Sequence, residues 1–93
     1  MTAEDEIRRG SEAARLLSEP LLKKAFEDLK AGIVQQWSEV PARDAEGREW
    51  IWRHYKAVEA TEGMLRTYVE SGRIALSRLE PTRVEKVKKF FVR

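Results

Sequence analysis

Apolar residues recur along this chain every three or four positions, in blocks punctuated by proline. Leu22, Phe26, Leu29, Ile33, Trp37 and Val40 form the cleanest block, with Leu21 and Ala25 widening its face. That spacing matches the 3.6-residue turn and gathers these residues on one side of an α-helix. Lys23–Glu27 and Lys24–Asp28 decorate the other side as i,i+4 pairs. Ser18 is the expected N-cap, and Pro20 is tolerated in the first turn. Pro41 stops the helix and biases Val40 toward extended geometry. The pattern predicts a helix over 19–39.

A longer stripe follows. Ile51, Tyr55, Val58, Leu65, Tyr68, Val69, Leu76 and Leu79 continue at helical spacing, with Thr61, Glu62 and Gly72 as weak spots. Asp44 is the natural N-cap, with Glu46 and Glu49 near the positive end of the helix dipole. Upstream, Thr2 caps a first helix that opens on Glu4, Asp5 and Glu6 and carries Ile7, Ala14 and Leu17 on a thin apolar line. Glu4–Arg8 and Asp5–Arg9 support it at i,i+4, while Gly10 and Ser11 weaken it. The expected architecture is all-α, with helices over about 3–18, 19–39 and 44–79. The short connection Pro41-Ala42-Arg43-Asp44 predicts an antiparallel hairpin of the second and third helices. Residues 1–81 then form the helical domain, and 82–93 a short basic C-terminal segment.

Length makes the third helix a problem. From Asp44 to Leu79 it would span roughly 54 Å at 1.5 Å per residue. A compact chain of this size has a radius of gyration of about 12 Å. The second helix covers only the first ~30 Å of it. Either the helix breaks at Ser71-Gly72, or its far half is covered by the first helix, a second copy or another protein.

Composition narrows the field. Of 93 residues, 37% are charged and 42% hydrophobic, which suits a folded helical domain better than a disordered one. Without cysteine there is no disulfide scaffold and no thiolate metal site. No stretch approaches the roughly 18 apolar residues of a membrane span. The acidic opening Met1–Glu6, with no apolar run after it, predicts no secretory signal. The net charge of +2 hides a polarity. Residues 82–93 hold Arg83, Lys86, Lys88, Lys89 and Arg93 against Glu85, a local charge of +4, so the rest of the chain carries −2.

Catalytic signatures are absent. His54 is the sole histidine, so neither a histidine-based triad nor a multi-histidine metal site can be built within one chain. A packed or partly exposed structural role suits it. Most carboxylates have a basic neighbour one turn away, as solvated helix faces do. Gly10, Gly32, Gly47, Gly63 and Gly72 are dispersed and form no phosphate-binding loop. The expectation is a non-enzyme with no cofactor, no metal and no small-molecule substrate.

Two features suit binding instead. In Trp50-Ile51-Trp52 the indoles lie about 200° apart around a helix, so both cannot face one narrow core. One is expected against the second helix, with Trp37 a candidate neighbour, and the other on a further helix or in solvent. Buried tryptophan and an interface anchor are both open readings. Trp50, Trp52, Leu65, Val69 and Leu76 are therefore candidate interaction residues. In the basic end, Val84, Val87 and Phe91 fall at helical spacing beside Phe90. Val87, Phe90 and Phe91 suit docking into an acidic-rimmed groove. Arg83, Lys86, Lys88, Lys89 and Arg93 are candidate phosphate contacts.

The opening Asp5-Glu6-Ile7-Arg8-Arg9-Gly10, then Ala13-Ala14-Arg15-Leu16-Leu17 and Pro20-Leu21, resembles the start of small helical proteins encoded in tailed-phage and prophage structural gene clusters. The run from Pro41 to Trp52, after a helix ending at Trp37, and the basic aromatic ending are similar to them as well. The resemblance covers most of the chain and carries no catalytic motif, so no residue role transfers. It implies a virion or assembly component, located in the virion or the host cytoplasm, whose partners are other virion proteins or further copies of itself. Two alternatives stand beside it: a nucleic-acid-binding module using the basic segment, and a small regulator or inhibitor of a host protein.

Overall fold

The computed structural model describes residues 1–79 together with Pro81, Arg83, Glu85 and Lys88. These residues form three helices and no strand: α1 (Ala3–Leu17), α2 (Pro20–Glu39) and α3 (Ala45–Ser77). The chain is all-α, and each helix boundary falls within two residues of the one read from the sequence.

Local chemistry explains the ends. Thr2 caps α1 through a capping box: its hydroxyl accepts from the Asp5 N–H at 3.1 Å, and its own N–H donates to the Asp5 carboxylate at 3.1 Å. Ser18 is not the N-cap of α2. It closes α1 instead, its N–H donating to the Ala14 and Arg15 carbonyls and its hydroxyl to the Arg15 carbonyl. Pro20 decides this, because the residue before a proline is driven out of helical geometry. Glu19, at φ −71° and ψ 119°, therefore takes the cap position, without a side-chain hydrogen bond. The same rule extends Val40 ahead of Pro41, at ψ 129°. Asp44 caps α3, accepting from the Gly47 N–H at 2.9 Å.

α3 runs unbroken through Gly72. Its far half is covered by α1, in the most extensive packing of the molecule. Gly10 and Gly72, read from sequence as weak spots, are where the two backbones meet. A side chain built on Gly10 would lie 2.7 Å from the Tyr68 carbonyl oxygen and 3.0 Å from the Gly72 Cα. One built on Gly72 would lie 3.0 Å from both the Gly10 Cα and the Glu6 carbonyl oxygen. Ile7, fully buried, packs with Ala75, and Ala3, Leu76 and Leu79 close around them. The Arg9 guanidinium sits 4.3 Å from the centre of the Tyr68 ring.

α2 lies along the other half of α3, with sparser packing, and barely touches α1. Lys30 reaches Glu62, while Trp37 shares a groove with Trp52, so α2 and α3 run in opposite directions there. Because α1 and α2 cover successive lengths of α3, the molecule is a rod of 62 × 23 × 15 Å with a radius of gyration of 18.5 Å. The compact globule implied by chain length is not formed, because an unbroken 33-residue helix sets the long axis.

Candidate interaction surface

The α2–α3 half is held by little buried matter. Ile33 of α2 and Ile51 of α3 are its only buried apolar residues among those described. One residue either side of Ile51 is a 100° turn of the helix, so Trp50 and Trp52 fall on opposite flanks of the contact with α2. Both are largely open, at 59% and 50% exposure. Trp52 shares a groove with Val34 and Trp37 of α2, the neighbour expected from sequence for one indole, while about half of its surface stays open.

On one flank, Ile33, Val34, Trp37, Ile51, Trp52 and Tyr55 line a small apolar groove of about 170 Å³. The Lys56 ammonium lies 5.5 Å from the Trp52 ring centre. On the other flank, a larger open groove of about 390 Å³ runs between Leu29, Ile33 and Gln36 of α2 and Trp50, His54, Ala57, Val58 and Thr61 of α3. His54 is exposed; its Nδ1–H donates to the Trp50 carbonyl at 2.9 Å, and its ring lies against the Trp50 indole, centroids 3.8 Å apart.

Between these grooves and α1 stands the one buried charge among the described residues. Glu62 is only 9% exposed, accepts from Lys30 Nζ at 2.5 Å, and has Arg66 at 3.7 Å. The hydrogen bond to Glu62 is the main reason the Lys30 ammonium titrates above its usual 10.5. The notch at the α1–α2 break, lined by Leu16, Leu17, Leu22, Phe26 and these charges, holds about 380 Å³. Of its basic groups, Lys30 and Arg66 face the Glu62 carboxylate.

The other nominated residues divide. Leu65 and Val69 are half-buried, and Leu76 packs on the Ile7–Ala75 core. Leu76 is partly buried there, because α1 supplies cover that the long helix needs. Arg83 pairs with Glu4, and Lys88 with Glu85 at 2.8 Å. Val87, Phe90, Phe91, Lys86, Lys89 and Arg93 lie outside the described residues. Reading from sequence missed that Leu21, Leu29, Val34 and Met64 stay exposed. It also missed the Lys30–Glu62 link, whose only signal was a lone acid at a stripe position.

No group of three or more His, Cys, Asp or Glu among the described residues is placed to hold a metal ion. Nor is any described helix long and apolar enough to cross a membrane. No family model, curated protein or solved structure matches the chain.

Proposed function

We propose that this chain is a non-catalytic protein–protein interaction module, a small structural or assembly component of a tailed-phage particle, acting in the virion or the host cytoplasm. The observation that carries the interaction reading is the set of open indoles, Trp37, Trp50 and Trp52, flanking a two-helix contact with almost no buried core. Tryptophan is among the residue types enriched at the hot spots of protein interfaces. Large apolar patches in water otherwise carry a solubility penalty with no return. The phage context comes from the sequence resemblance alone.

The test places a photo-crosslinking amino acid at Trp50 and, separately, at Trp52 in the producing cell. A recurrent protein adduct identified by mass spectrometry, together with the chain's presence in purified particles, is the expected result. If neither position forms any protein adduct, the interaction reading fails. Adducts without particle association remove the virion role alone.

A further inference from the structure

One side of the α2–α3 half carries no Asp, Glu, Lys or Arg between Leu21 and Gln36 of α2 and between Trp50 and Met64 of α3; Glu39 and Glu46, at the same spacing, close its hairpin end. Leu21, Ala25, Leu29, Gly32 and Gln36 follow one another at spacings of three or four along α2, and Trp50, His54, Ala57, Thr61 and Met64 do the same along α3. These spacings place each set on one helix face. The groove between Leu29 and Trp50 joins the two sets into one surface, and all ten residues are exposed. In a chain with 37% charged residues, ten exposed neighbours without one charge form a distinct face. Asp28 and Arg53 stand at its rim, each already paired within its own helix, with Lys24 at 2.7 Å and Glu49 at 3.2 Å.

Gly32 is a second, independent observation. Glycine is a poor helix former, and it persists in helix interiors where backbones must come close. Gly10 and Gly72 do this between α1 and α3. A side chain built on Gly32 meets nothing within 4 Å, so no contact inside the chain requires glycine there. It lies on the uncharged face, where a helix from outside the chain can approach.

We infer that this face pairs with the same face of a second copy, closing the two-helix layer into a four-helix core; this rests on the interaction reading above. Three arguments select a copy as the occupant. A face without charge offers nothing to nucleic-acid phosphates or to a strongly charged protein, and it meets itself without like-charge repulsion. Bulk and space alternate on it, Leu21, Leu29, Trp50 and Met64 beside Ala25, Gly32, Ala57 and Thr61, as an isologous contact needs. Its size also fits. From Leu21 to Gln36 it runs roughly 24 Å, and two helices side by side make it about 20 Å wide. Pairing then buries about 1,000 Å² in total, the lower edge of a specific interface. The resulting dimer is reversible and concentration-dependent.

The test is mass measurement on the full chain across a concentration series, with far-UV circular dichroism to monitor folding. The wild type should pass from 10.8 kDa to twice that mass as concentration rises. Leu29→Glu and Thr61→Glu, both at exposed positions, should each weaken association at least tenfold with helicity unchanged. Val34→Glu, on the opposite flank, should leave it intact. Gly32→Ala should weaken association while Gly63→Ala does not, although neither new side chain meets anything within its own chain. A chain that stays monomeric up to millimolar concentration overturns the inference, as does a dimer indifferent to both Leu29→Glu and Thr61→Glu. Crosslinks from Trp50 separate this failure from a wider one: adducts to another protein with none to itself remove the second copy but keep the interaction reading. No protein adduct removes both.

Discussion

The five glycines do different jobs, and the jobs are set by what surrounds each one. Gly10 and Gly72 sit where α1 and α3 touch through their backbones, so a methyl group there must push two helices apart. Gly10→Ala or Gly72→Ala should each destabilise the fold by about 1–3 kcal/mol, the usual cost of overpacking. Gly63→Ala, which meets nothing, should instead stabilise by up to about 1 kcal/mol through helix propensity. Thermal or urea unfolding checks all three, and a stabilised Gly72→Ala would contradict the close approach. From sequence these residues look alike, as isolated helix weakeners; only a neighbouring backbone distinguishes them. The tryptophans teach the same point from the other side. Their separation around the helix was legible at Trp50-Ile51-Trp52, but how much of each indole stays open depends on the width of the layer packed over Ile51.

Among the helices, α2 is held to α3 by Ile33, Ile51 and the Lys30–Glu62 pair, and the pair's position makes it matter. Lys24–Asp28 is as close, at 2.7 Å, but both its side chains are mostly in solvent, where ion pairs contribute little. Glu62 is largely buried, so removing Lys30 takes away its close hydrogen-bonded partner and leaves only Arg66, at 3.7 Å. Lys30→Met should therefore lower the unfolding midpoint clearly, and Lys24→Met hardly at all. The sign with pH follows from the lysine. Its pKa is raised in the folded chain, so its contribution is full below the usual 10.5 and fades as pH rises through the higher folded value. The wild type and Lys30→Met should thus differ at neutral pH and converge under strongly alkaline conditions. Helix positions themselves were legible, because period, proline and caps are local signals. The Ser18 assignment failed because Pro20 overrules a good capping side chain two residues earlier.

Across the whole molecule, burial is uneven. The α1–α3 half has a fully buried Ile7 and touching backbones, while the α2–α3 half has two buried isoleucines and open grooves on both flanks. Amide hydrogen exchange should show this as strong protection around Ile7, Ala13, Gly72 and Ala75 and weak protection along 21–38 in dilute solution. If 21–38 proves the better protected stretch in the monomer, the distribution of packing described above is wrong. Protection of 21–38 that rises with concentration would report the copy-to-copy contact directly.

The rod shape also marks the boundary between what the sequence by itself determined and what the tertiary structure decided. Apolar period, prolines and the caps Thr2 and Asp44 determined three helices, their order and nearly their ends, because those features act over a turn or two of chain. They also established that α3 is too long for α2 to cover. Which body supplies the missing cover depended on whether the backbones of α1 and α3 can approach at Gly10 and Gly72. That is a matter of shape between residues 62 positions apart, and no periodicity encodes it. Once α1 takes the far half, Leu76 is partly covered and the large open side chains lie at the tryptophan end. The exposed indoles are thus left at the half of the long helix that α2 alone must cover.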